Sequence, residues 1–69
     1  MNRSPVASSN ITSIGYEAAR MLLEIEFSSG VYQYHAVPEH IYMELMAAPS
    51  HGRYFARAIR DRYAYRKVA

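Results

Sequence analysis

Between residues 21 and 27 apolar and polar positions alternate, with Met21, Leu23, Ile25 and Phe27 set against Leu22, Glu24 and Glu26. A period of two belongs to a strand with one wet face. Ser29-Gly30 then punctuates the chain and Val31 to Ala36 resumes the extended pattern, which predicts a hairpin. With Ser29 and Gly30 as the two loop residues, Ser28 opposes Val31, Phe27 opposes Tyr32, Glu26 Gln33, Ile25 Tyr34 and Glu24 His35. Every pair away from the turn then matches in polarity, whereas a one-residue slip would carry the tyrosines to the glutamate face. Tyr32 and Tyr34 are therefore expected to share a face with Ile25 and Phe27. The β-branched and aromatic run Ile11 to Tyr16 predicts another strand, with Gly15 as its bulge or kink. Residues 1–9 show no period and read as a loosely ordered lead-in.

Pro38 suits the first turn of a helix, where its missing N–H costs nothing, and predicts one running through about Ala48. Ile41, Leu45 and Ala48 form its apolar stripe, with Tyr42 and Met46 beside them. Pro49 ends this helix and Ser50 caps a second, predicted from His51 towards Tyr65. The order β-β-β-α-α predicts an α+β fold in which a short three-stranded antiparallel sheet is followed by two helices packed on one face. Residues 10–69 make a single domain. A chain of this size buries only about 60% of the surface its unfolded form exposes, and with no cysteine it has no disulfide to add. A homodimer is thus an expected supplement, with an open sheet edge at Val31 to Ala36 or at the first strand as one route.

Net charge is +2, but residues 1–50 carry two cations against five glutamates, and residues 51–69 carry six cations against Asp61 alone. Projected as a helix, Arg53, Arg57, Arg60 and Lys67 gather within an arc of roughly 80°, opposite Phe55, Ala58 and Ile59. Arg62 and Arg66 project towards the apolar side, where their stems can cover core. Five of the six cations are arginine, the side chain that best matches phosphate geometry, although a run of charge on a helix also serves simply as a solvated face. The polar opening residues and the lack of any apolar stretch near ~20 residues predict no membrane association and a cytoplasmic location.

The candidates for chemistry are few. His35, His40 and His51 match no metal-ligand spacing, and there is no cysteine nucleophile, G-x-S-x-G elbow or glycine-rich phosphate loop. The expectation is a non-catalytic protein without metal, cofactor or small-molecule substrate. Tyr32 and Tyr34 have two readings: aromatic side chains on a sheet can stack unpaired RNA bases, and the same two rings are what a packed hairpin needs. The opposite sheet face, with Glu24, Glu26, Gln33 and His35, would repel phosphate.

Ser8-Ser9 before Ile11, Gly15-Tyr16, Phe27 followed by Gly30, Tyr32-Gln33-Tyr34, Val37-Pro38, and then Ser50, Gly52, Tyr54-Phe55, Ile59-Arg60 and Tyr63 form a series over nearly the whole chain. In that order and at those intervals it resembles the KTSC domain, a short bacterial module found alone and at the C-terminus of some lysyl-tRNA synthetases. The chain departs from that pattern at Ala56, where the family usually has Asn, and at Pro49, which interrupts the small-residue run before Ser50. What the resemblance implies is RNA binding, through attachment to a tRNA-handling enzyme, and nothing for catalysis. Two expectations follow. One is a nucleic-acid-binding module, for tRNA or single-stranded RNA, contacting phosphates through Arg53, Arg57, Arg60 and Lys67. The other is a protein-interaction or self-associating module using Tyr42, Met43 and Met46.

Overall fold

The alternating segment forms the central strand of an antiparallel sheet in a computed structural model that describes residues 1–69. The elements are β1 (Ser4–Pro5), β2 (Ile11–Glu17), a 3₁₀ turn (Ala18–Arg20), β3 (Leu22–Phe27), β4 (Gly30–Tyr34), α1 (Glu39–Ala47), α2 (His51–Ala58) and β5 (Tyr65–Lys67). The strands lie in the order β1-β2-β3-β4-β5. The fold is α+β, with both helices packed on the sheet. One core joins Ile14, Leu23, Ile25 and Tyr34 from the strands to Leu45 of α1 and to Tyr54, Phe55 and Ile59 at α2. No helix is long and apolar enough to cross a membrane.

The sheet has five strands where three were expected, and the predicted second helix is correspondingly too long. α2 stops at Ala58: Ile59 and Arg60 both donate their N–H to the Phe55 carbonyl, and Asp61 turns the chain with a left-handed φ of 64°. The segment after the turn then pairs with β4, Tyr34 opposite Tyr65 and Tyr32 opposite Lys67. Tyr65 stacks on Tyr34 at 5.5 Å between ring centroids, a contact that continued helix could not make. The β4 edge, expected to be open, is thereby covered. Arg62 and Arg66 are exposed, and Arg62 Nε donates to the Arg57 carbonyl at 3.1 Å rather than lying over the core. At the other margin Ser4 and Pro5 pair with Ile14 and Ser13, proline being acceptable on an edge strand.

The hairpin turns one residue earlier than the sequence suggests. Ser28 and Ser29 form the loop, so that Phe27 opposes Gly30, Ile25 opposes Tyr32 and Leu23 opposes Tyr34. Moving a two-residue loop by one position slides the pairing by two residues, which leaves the side chains of β3 and β4 on their predicted faces, whereas Met21, expected on the apolar face, precedes β3 at a left-handed φ of 51° and is exposed. Hydrophobic alternation fixes register only to within such a step. Tyr34 is accordingly 5% exposed and Tyr32 half-buried, both on the face that receives the helices.

In β2 the irregularity lies between Ile11 and Ser13 and not at Gly15. Gly15 is needed for a different reason: a Cβ there would sit 2.6 Å from the Asn2 carbonyl oxygen. Residues 2 and 3 cross the outer sheet face at this point, and the Arg3 guanidinium pairs with Glu24 and lies 3.9 Å from Glu26. Arg3 Nε donates to Ser13 Oγ at 2.9 Å, Ser13 donates on to Glu26 at 2.9 Å, and Gln33 donates to Glu24 at 2.8 Å. The face expected to be bare acid is therefore a paired network. Burial pushes the Glu24 carboxyl up, but the hydrogen bonds from Gln33 and Arg3 and the Arg3 charge outweigh it and leave the group below its ordinary value.

Candidate nucleic-acid interface

Pro38 and Ser50 set where the helices begin. Pro38 is the N-cap of α1 with φ −64°, and Ser50 Oγ accepts from the Arg53 N–H at 3.2 Å to cap α2. With α2 fixed by Tyr54 and Phe55 beneath it, Arg53 and Arg57 are left exposed, one turn and about 6 Å of helix rise apart. The Arg57 guanidinium lies 5.4 Å from the centroid of the Tyr54 ring, and the Tyr54 hydroxyl donates to Glu44 at 2.6 Å. Tyr54 is thus held between helices, and Arg57 is held over it.

Arg60 lies past the end of the helix and Lys67 on β5, so the four cations expected on one helical stripe form a looser set. Arg53 and Arg57 project from α2. Lys67 shares a sheet face with its partner Tyr32, because directly opposed residues of an antiparallel pair lie on one side. Arg60 stands at the rim of an aromatic groove of about 280 Å³. Tyr34 and Phe55, both nearly buried, form its floor, with ring centroids 5.5 Å apart. Phe27, Tyr32 and Tyr65 rise around it, and Tyr65 is 60% exposed. Burial, then the neighbouring Tyr65 and Tyr32, push the Tyr34 hydroxyl up to about 12, against a small opposing effect of the Arg60 charge.

Of the two tyrosines singled out in the sequence, Tyr34 is core and Tyr32 stands between core and surface. Phe27, Phe55 and Tyr65 were not expected at any site. No local signal in the sequence marks them, since the groove exists only once β5 has folded back beside β4.

A second cleft, of about 390 Å³ and mostly polar, lies between the Ala7–Asn10 loop and the start of α2. The serines quoted for the KTSC resemblance meet there, but each hydroxyl is engaged locally: Ser8 accepts from the Ile11 N–H, Ser9 donates to Asn10, and Ser50 caps α2. Ala56, where the resemblance implies Asn, also lines this cleft. His51 Nδ1–H donates to the Leu45 carbonyl at 2.8 Å, and His35, just after β4, and His40, on α1, are exposed.

Comparison with known proteins places these features in a family. The sequence profile of the KTSC domain matches residues 7–63. An uncharacterised protein of Stutzerimonas stutzeri is 39% identical over 99% of both chains. A lysine–tRNA ligase of Trichormus variabilis is 40% identical over 78% of this chain, the matched part being 10% of the ligase. The crystal structure of a KTSC domain protein from Yersinia pestis superposes with a TM-score of 0.97 at 43% identity, covering 99% of this chain and 97% of that one. The chain belongs to the KTSC domain family.

Proposed function

We propose that this domain is a non-catalytic RNA-binding module in the cytoplasm, taking single-stranded RNA or an unpaired segment of tRNA along α2. Phosphates lie against Arg53 and Arg57 and the strand turns at Arg60 towards the aromatic groove, with Lys67 on its far side. The observation that carries this reading is Arg60 at the rim of the open aromatic groove, just past the end of the helix that carries the exposed Arg53 and Arg57. Unpaired strands need both partners: cations for the backbone and ring faces for the bases. The similarity to lysine–tRNA ligases supports a tRNA-type ligand.

Changing Arg53, Arg57 and Arg60 together to Glu is expected to abolish binding while leaving thermal unfolding within a few degrees, because all three are exposed. For the unaltered protein, about three neutralised phosphates give a slope of log K on log salt of roughly −2 on a single strand, at about 0.7 per contact. Binding that survives the triple change, or that ignores salt, would overturn this reading. The alternative of a protein-interaction or self-associating module is favoured by one observation, the 60% exposed Met43 on α1.

A further inference from the structure

The groove at the end of α2 carries an acceptor as well as a cation. Asp61 lines it beside Arg60. Its side chain is exposed and is neither ion-paired nor hydrogen-bonded within the protein, although Arg60 and Arg62 flank it in sequence. It stands at the turn that ends α2, with a left-handed φ of 64°. The neighbouring rings are already in mutual contact, Tyr32 and Tyr65 at 6.1 Å and Tyr34 and Tyr65 at 5.5 Å, so a flat ligand lies over the cluster rather than between its members. At about 280 Å³ the groove is just below the ~300 Å³ at which drug-sized pockets begin, which is room for one base.

An ionised carboxylate only accepts hydrogen bonds, and it accepts two at once. Guanine alone among the four RNA bases offers two adjacent donors on its Watson–Crick edge, N1–H and the N2 amino group. Adenine and cytosine would turn a ring-nitrogen lone pair towards the carboxylate, and uracil has one N–H between two carbonyls. Aromatic clusters with an acid also take alkylammonium cations. Here the net charge of +5 over residues 51–69 favours an occupant carried on an anionic strand.

We propose that the groove receives one unpaired guanine of an RNA strand, its ring on the exposed Tyr65 with an edge towards the tilted Tyr32, its N1–H and N2 amino group donating to Asp61, and the adjoining phosphate at Arg60. This rests on the RNA-binding reading and adds base selectivity to it.

The test is anisotropy titration of labelled heptamers: seven uridines, and the same strand with G, A, C or inosine at the centre. The guanine heptamer is expected to bind at least about tenfold tighter than those with A or C, the discrimination of one good bidentate contact. Inosine, which lacks the N2 amino donor, falls between. Asp61→Asn, tolerated at a left-handed position, is expected to narrow the guanine preference to within about twofold. Equal, salt-dependent binding of every heptamer would overturn the guanine site and leave the backbone reading standing. No binding of any heptamer at low salt would overturn both. Shifts of the Tyr32 and Tyr65 ring resonances with tetramethylammonium, but not with guanosine monophosphate, would make the groove a cation cage and sink the proposal.

Discussion

Gly30 satisfies two demands at once. Its φ of 143° is one that side-chain-bearing residues rarely adopt, and a Cβ there would lie 2.6 Å from the Ala69 carbonyl oxygen. Gly30→Ala is therefore expected to cost about 1–3 kcal/mol in urea denaturation. It should also release the Val68 N–H from the Val31 carbonyl, 2.8 Å away, so that this amide exchanges faster than its β4 neighbours. Tyr34 and Tyr54 make a different kind of contribution. Both hydroxyls are pushed up to about 12, chiefly by burial, with the hydrogen bond to Glu44 second for Tyr54. An unfolded tyrosine ionises near 10, so above that pH the phenolate form draws the equilibrium towards the unfolded chain. Stability from these groups is complete below about pH 10 and is lost as pH rises towards 12. Urea midpoints at pH 8 to 11.5 are expected to fall over the upper part of that range, and to fall less in a Tyr34→Phe, Tyr54→Phe double variant. Truncation is harsher: Tyr34→Ala removes a ring at the floor of the groove and in the core, and is expected to cost about 3–5 kcal/mol.

At the level of elements, β3, β4 and α1 could be read from period, β2 from its β-branched and aromatic residues, and the start of α2 from Ser50. β1 and β5 could not, because two and three residues are too few to show a period. Their formation depends on partners distant in sequence: β5 on Tyr65 reaching Tyr34, and β1 on Arg3 reaching Glu24 across the sheet. The same limit governs the site. Arg53 and Arg57 were legible as neighbours on one helix face, while Tyr65 and Lys67 came to their positions through a strand the sequence does not announce. The β1 clasp has a testable acid dependence. Glu24 is held below its ordinary value in the fold, so its contribution is present above the unfolded carboxyl pKa, near 4.3, and is lost as pH falls through the folded value. Glu24→Gln is expected to cost about 1–2 kcal/mol at pH 7, the scale of charge-assisted hydrogen bonds at a mostly buried group, and progressively less below pH 4. A loss independent of pH would mean that packing, not charge, holds the clasp.

Across the whole molecule, the two termini close the sheet that they flank. β5 covers the edge of β4 and β1 part of the edge of β2, so the outermost strands are two and three residues long and carry Pro5, Arg66 and Lys67, and residues 15–17 of β2 extend beyond β1. Short edges bearing proline and like charges disfavour pairing between copies. One surface left for self-association is that of α1 around Met43, an exposed apolar side chain on a helix. Sedimentation of the whole chain is therefore expected to give a monomer to high micromolar concentration. Removing residues 64–69 uncovers β4, whose hydrogen bonds to β5 and Val68 would then need a new partner. That truncated chain is expected to show a mass that rises with concentration, and adding Pro at position 33, in place of Gln33, should suppress the rise by removing a strand N–H. If instead the whole chain is a dimer, and Met43→Glu returns it to a monomer, then α1 is the functional face and the interaction module becomes the better account of this domain.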